Sequence, residues 1–562
     1  MGRRIMRALP AQQAAIAGRR ELVAWAARDA LDPEHGSPLL SRRELLAAGS
    51  AGAVGLLLAA CGSSAHEAIH HAAKTPPAGS RLADVDHVVI IIQENRSFDS
   101  YFGTYRGVMG FDDHPAGSYG VFAQPDPYNT TRPPLGKLLP WHFDTRAPRS
   151  TAECVPNPVE GWTTYHAEWE QGRMEGFART QMASPPTGEG PARGATTMGY
   201  YTRADLPFYY GLADAFTICD RYHCSVLGET DPNRLMSLSA WIGQDGRNGG
   251  VVANTASIAS APRELWTRTW TTMPERLSAS GISWKFYNSP GVGPDQTTET
   301  LAVSNNVLPF FAAYRDPSSE LHRLAFGSTW PQDFVDDVRS GNLPQVSWVL
   351  APLTPVEEDE HPSAPPDFGE LFVSRVLSTL ASNPAVWSRS VMFLTYDEHG
   401  GFFDHVAPPV APRGTPGEWY TMSPLPAAAG GIAGPIGLGI RVPTLAVSPF
   451  SRGGYVDSTV YDHTSTLRFV ETRFGVEVPN LSAWRRATTG DLTRAFDFVH
   501  QPDTSVPVIP GAPASTRSDA LVASECPSNA VTIALGMAPA VQEPAAQTMP
   551  TQEPGTAKRR SG

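Results

Sequence analysis

Cysteine is scarce in this chain, five in 562 residues, too few for a disulfide-dense scaffold. Positive charge is short as well: 44 Lys and Arg stand against 56 Asp and Glu, a net of −12. Without a basic stripe to neutralise phosphates, the chain is not a nucleic-acid binder. Charged residues make up only 18% of the sequence, no internal repeat recurs, and Gly 50 with Pro 52 interrupts any long helical pattern. That composition excludes a coiled coil or a helical solenoid. The uncharged, small-and-apolar stretch Leu45 to Ala60 is too short for a membrane span. What remains is a large, acidic, loop-rich globular protein.

The charge is unevenly spread. The first 60 residues carry eight Lys/Arg and five Asp/Glu, a net of +3, which leaves −15 on the rest. A basic pair in Ser41-Arg42-Arg43-Glu44, then a short hydrophobic segment and small residues, describes an export signal. Arg42-Arg43 followed by Leu45-Leu46 resembles a twin-arginine signal, and Leu58-Ala59-Ala60-Cys61 resembles a lipobox. Together they imply export of a folded bacterial lipoprotein by the twin-arginine machinery, anchored through acylated Cys61. The alternative is a buried apolar helix with an incidental cysteine. In an oxidising compartment, Cys219 and Cys224 read as structural or as a local disulfide, with Cys154 and Cys526 as the other candidates. The organisation expected is an export signal over 1–60, a tether over 61–83, a catalytic domain over 84–500, and a disordered Pro/Ala-rich tail over 501–562.

Within the domain, Val85 to Gln93 contains the β-branched run Val88-Val89-Ile90-Ile91-Ile92, and Val391 to Tyr396 and Val442 to Val447 read the same way. Unbroken apolar strands suit a sheet buried on both faces. Helical stretches at Glu370 to Leu380 and Thr464 to Phe474 alternate with them, so the fold class expected is α/β, a three-layer α/β/α sandwich with long loop insertions. In such sheets ligands gather beyond the carboxyl ends of the strands. The first strand runs into Glu94-Asn95 and the later one into Asp397-Glu398. Acids after strands often only cap turns, but two such pairs offer four oxygen donors for a divalent metal. Leu227-Gly228-Glu229-Thr230-Asp231-Pro232-Asn233-Arg234 sets Thr230 in a tight turn, where a hydroxyl beside a metal could act as nucleophile. The same residues equally suit a helix N-cap. Among fifteen histidines, His166, His361 and His405 stand out by neighbourhood.

These residues resemble a known family. Glu-Asn-Arg-Ser-Phe-Asp-x-Tyr-Phe-Gly at 94–103 is similar to the signature of the bacterial phosphoesterases that include phosphatidylcholine-type phospholipases C and related acid phosphatases. Further blocks match in order, among them Gly172 to Phe177, Met198 to Tyr201, His223 to Gly228 with Thr230 to Arg234, Glu360 to Ser363, Thr395 to Glu398 with Gly401 to Val406, and Asp462 to Ser465. The match covers roughly residues 84 to 500. It implies an alkaline-phosphatase-like fold and phosphate-ester hydrolysis through a phospho-enzyme. By position, Glu94, Asn95 and Asp397 would hold one divalent ion, of Ca, Mg, Mn, Zn or Fe, with Glu398 beside it. Thr230 matches the nucleophile, and His166 and His361 match histidines lining the phosphate pocket, while His405 would stand behind the ligands.

Two departures blur the branch. Glu229 stands where many relatives carry Pro, and His399-Gly400 stands where phospholipases often have Asn-Asp, which puts a titratable ring beside the metal pair. The activity expected is a secreted phospholipase C giving diacylglycerol and a phosphorylated head group, with contact at a membrane surface. An acid phosphatase of small monoesters at the same site is the rival. A non-catalytic lipoprotein binding phosphorylated ligands would show damage at Thr230, Glu94 or Asp397, and all three are intact.

Overall fold

The β-branched run at 88–92 favours extended backbone, and β1 spans His87–Gln93 with every residue after His87 buried. Successive side chains of a strand point to opposite faces, so burial of all six means that both faces of the sheet are covered. The computed structural model describes residues 80–131, 136–146, 152–183, 194–247, 254, 268–288, 305–352, 359–500 and 547–560. Among them, the main sheet holds β1, β2 (Thr217–Cys219), β3 (Trp284–Asn288), β4 (Ser328–Thr329), β5 (Val346–Val349), β6 (Ser390–Tyr396), β7 (Leu445–Val447), β8 (Tyr455–Asp457) and β9 (Lys558–Arg559). Their order is β9-β8-β2-β7-β6-β1-β5-β3-β4. Neighbours run parallel except at β7, which is antiparallel to both β6 and β2.

The flanking helices that matter here are α1 (Phe98–Phe102), α2 (Trp162–Trp169), α3 (Pro207–Ala215), α4 (Thr230–Ser239), α5 (Gln332–Ser340), α6 (Pro366–Ser382) and α7 (His463–Phe474). Helix α6 buries Phe372, Val373, Val376, Leu377 and Leu380, a three-and-four spacing that makes one apolar stripe. Helix α7 starts in a capping box, Asp462 with Ser465, and stops at Gly475 in the left-handed region. Its Phe469 ring meets Phe393 of β6 at 5.1 Å, and α4 packs beside α7. A mixed nine-stranded sheet flanked by helices is thus the α/β architecture expected. Among the described residues, no helix is long and apolar enough to cross a membrane.

Two expectations are corrected. Cys219 and Cys224 form no local disulfide; both are free and buried. The chain between them continues in bridge pairing at Tyr222 and His223, and the Cys224 thiol donates to the Val226 carbonyl at 3.4 Å. Cys154 is disulfide-bonded. The tail, disordered by composition, is ordered over 547–560. Lys558–Arg559 adds a parallel edge strand to β8, Glu553 takes both arms of Arg203 at 2.7 Å, and the Gln552 amide donates to the carbonyls of Tyr105 and Val108. These partners lie a hundred residues or more away, so local composition carries no trace of them. The export signal, the tether up to residue 79, Cys61, Cys526 and residues 501–546 lie outside the described residues.

Candidate active site

Register assembles the site. β1 and β6 run parallel with Gln93 opposite Tyr396, so Glu94-Asn95 and Asp397-Glu398 emerge side by side at one end of the sheet. Backbone bonds hold them there: Asp397 N–H donates to the Gln93 carbonyl (3.0 Å) and Arg96 N–H to the Glu398 carbonyl (3.1 Å). The Asn95 N–H donates to Asp397 Oδ1 at 3.2 Å. Asn95 sits at φ +60°, left-handed backbone that Asn tolerates better than most residues. A Cβ on Gly400 would lie 2.6 Å from the Asn95 carbonyl oxygen, so position 400 must be glycine for this approach.

Thr230 is the first residue of α4, and Glu229 is its cap residue. The preceding loop is tied by Asn233, whose Oδ1 accepts from the N–H of Ser225 and of Val226, both at 2.9 Å. Its Nδ2 donates to the Gly228 carbonyl at 2.7 Å. One turn on from Thr230, on the same helix face, Arg234 donates to Asp397 Oδ2, Glu94 Oε1 and the Ile92 carbonyl, each at 3.3 Å. The helix start carrying Thr230 is therefore tied to the carboxylate cluster by its own Arg234, and a helix N-terminus favours anions. No motif in the sequence gives Arg234 this role. Its i,i+4 spacing from Thr230 was the available signal.

His361 also joins the cluster. Its Nε2 lies 3.5 Å from Glu160 Oε1 and 3.9 Å from Glu94 Oε2, with 34% of the side chain exposed. Burial works against its charge, but Glu160 and Glu94 prevail, and its pKa is pushed up to about 10. The loop that carries it is anchored from β1's end: the Arg96 guanidinium donates to the Glu360 carbonyl at 2.8 and 3.1 Å. The Glu360 carboxylate is buried among the hydroxyls of Tyr101, Tyr209 and Tyr396. His463 supports the other side, with Nε2 2.7 Å from the Asp397 carbonyl. Burial pushes its pKa down to about 4, so a neutral ring donates that bond.

The other histidines stand apart. His166, on α2, has Nδ1 2.7 Å from the Trp162 carbonyl and Nε2 3.0 Å from the Pro435 carbonyl. Both ring nitrogens thus face backbone carbonyls, to one of which the ring's single N–H donates when neutral, and neither is bonded to the cluster. His399 turns away from Asp397 and Glu398: its Nε2 lies 3.0 Å from Glu168, and burial pushes its pKa down to about 3. His405 bonds Asp99 Oδ2 through Nδ1 at 2.6 Å. Asp99, Asp404 and His405 could by distance hold an ion, but the Arg441 guanidinium already bridges Asp99 and Asp404, both at 2.9 Å. That charge is met from within.

The residues at the β1 and β6 ends fit a divalent cation better. Among the described residues, the basic side chains that meet Glu94, Glu160, Asp397 and Glu398 are Arg234 and His361, an acidic excess. Burial raises the pKa of Asp397, with Arg234 opposing and Glu94 adding, and burial with Glu160 and Asp397 raises that of Glu398. Asn95 Oδ1 and Glu398 Oε1 are buried without a hydrogen-bond partner, a costly condition that a cation would relieve. The donors are all oxygen, as a hard cation prefers.

A mixed α/β sheet whose strand ends gather carboxylates with a guanidinium and an imidazole is the framework of a phosphoric ester hydrolase. The chain belongs to the Phosphoesterase family, whose model matches residues 85–477. It is 42% identical to Phospholipase C B of Mycobacterium tuberculosis over 92% of this chain and 97% of that one. It is 39% identical to Non-hemolytic phospholipase C of Burkholderia pseudomallei over 92% and 71%. Among solved structures, a phosphonate monoester hydrolase from Silicibacter pomeroyi aligns over 53% of this chain and 72% of its own, at TM-score 0.23 and 11% identity, too slight a likeness to argue from.

Proposed function

We propose that the chain is an exported phospholipase C that cleaves phosphatidylcholine-like lipids to diacylglycerol and a phosphorylated head group. The 42% identity to Phospholipase C B of M. tuberculosis over 92% of the chain carries this reading, and the intact Thr230 at the start of the helix whose Arg234 reaches the carboxylate cluster supports it. Glu94, Asn95 and Asp397 would hold one divalent cation with Glu398 beside it. Such an ion supplies Lewis acidity and makes a nearby hydroxyl easier to ionise. Thr230 Oγ attacks phosphorus, its proton passing to a carboxylate of the cluster as the O–P bond forms and the bond to the glycerol oxygen opens. Arg234 and the start of α4 steady the anionic oxygens. The protonated His361 Nε2 passes its proton to the leaving glycerol alkoxide, and the proton taken from Thr230 later returns to His361. Water then divides across the threonine phosphoester, freeing the head-group phosphate and the hydroxyl.

A chain with −15 outside its signal is not drawn to anionic lipid by net charge, which favours a zwitterionic substrate. The twin-arginine signal over 1–60 and an acylated Cys61 would place the enzyme at the cell envelope or outside the cell. The deciding experiment compares phosphatidylcholine vesicles with p-nitrophenyl phosphate. Diacylglycerol release from phosphatidylcholine is expected. Rapid monoester hydrolysis with no diacylglycerol would instead identify an acid phosphatase.

A further inference from the structure

Glu160 was not singled out by sequence: it stands just ahead of α2 on irregular chain, and no motif marks it. In the fold its side chain is 4% exposed. Its Oε1 accepts from Asn95 Nδ2 at 2.7 Å and from Asn157 Nδ2 at 2.8 Å. A carboxylate offers only acceptors, whereas an amide ends in one acceptor and one donor group. The contact to Glu160 therefore dictates which way Asn95 faces: the NH₂ group meets Glu160 and Oδ1 is turned away from it. That Oδ1 has no hydrogen-bond partner within the chain. The backbone beneath it is held by the left-handed φ and by the bond to Asp397 Oδ1, so the amide flip is the remaining freedom, and Glu160 removes it.

We propose that Glu160 is a positioning residue for the cation, locking the Asn95 amide so that its oxygen, not its NH₂, meets the ion. This rests on the reading of Glu94, Asn95 and Asp397 as the cation's holders. Without Glu160 both amide orientations become accessible, and one of them aims N–H dipoles at a positive charge. Residues that orient a metal's ligands typically change affinity by about 10–100-fold.

The test is calorimetric titration of the chelator-stripped full chain, without substrate, by Mn²⁺, Ca²⁺ or Zn²⁺ alone. Glu160→Ala is expected to weaken the tightest-binding ion by about tenfold or more. Glu160→Gln keeps an oxygen that can accept the Asn95 amide and should stay close to wild type. Glu160→Asp keeps the charge but falls a methylene short, and should behave like the alanine variant. In an Asn95→Ala background, Glu160→Ala should change nothing further. Thermal unfolding of the ion-free variants checks that each is folded. Wild-type affinity in Glu160→Ala overturns the proposal, as does a series that follows charge, with Glu160→Asp tight and Glu160→Gln weak. A wild-type chain that binds none of the three ions overturns it as well. Because no lipid is present, failure to turn over phosphatidylcholine would sink the phospholipase reading and leave this one standing.

Discussion

Thr230 and Arg234 share one turn of α4, the first carrying the hydroxyl and the second the guanidinium that reaches Glu94 and Asp397. Thr230→Ala removes only a small polar group at 9% exposure. It should leave the unfolding midpoint nearly unchanged while turnover falls by roughly three orders of magnitude or more. Phosphate-ester assays beside a melting curve check this; retained turnover rules out a threonine nucleophile. His405 offers a test away from the cluster. Burial opposes its charge, but Asp99 and Asp113 raise its pKa to about 9, against an ordinary value near 6.5. A raised folded pKa stabilises fully below about pH 6.5, and that stabilisation is lost as pH rises through about 9. The stability difference between wild type and His405→Gln in urea should therefore shrink across that window by up to about 3 kcal/mol. A difference independent of pH would contradict it. At this scale the candidates Glu94, Asn95, Asp397, Glu398, Thr230 and His361 come from motif blocks, and the structure brings Glu94, Asn95, Asp397 and His361 together. Glu160 was not legible in the sequence, since its partners at 95 and 361 meet it only in three dimensions, and neither was the placement of both His166 nitrogens against carbonyls.

The element that aims Thr230 is the 225–229 loop with the start of α4, and Asn233 is its tie. Asn233→Ala leaves two N–H groups and three carbonyls of that loop without their side-chain partner. It should cost about 1–3 kcal/mol of stability and lower kcat by roughly 100-fold through misplacement of the hydroxyl. Denaturation and steady-state kinetics on the same preparation separate the two effects; an unchanged kcat would show that the loop is held otherwise. The strands and helices were read from runs of apolar residues, and β1, β6, α6 and α7 lie where those runs place them. The direction of β7 was not legible. Leu445-Ala446-Val447 is apolar because the strand is central and buried, and burial is the same whichever way a strand runs.

At the scale of the molecule, the chain closes on itself: residues 547–560 return to pair with β8 and clasp Arg203, Tyr105 and Val108. β9 lies at the sheet edge, four strands from β6. A chain ending at Ala546 should melt lower by roughly 5 °C, with kcat on a soluble phosphodiester preserved, as differential scanning calorimetry and kinetics would show. An unchanged midpoint would mean that the return adds no stability. The sequence by itself determined the α/β class, the two acidic strand ends, the threonine turn and the family, because each depends on residues close together along the chain. Only the tertiary structure decided that Arg234 and His361 reach the carboxylates, that Glu160 faces Asn95, that His399 is buried away from them, and that the last residues complete the sheet. Each of those depends on a contact between distant segments, and local pattern carries no record of which distant surface a side chain will meet.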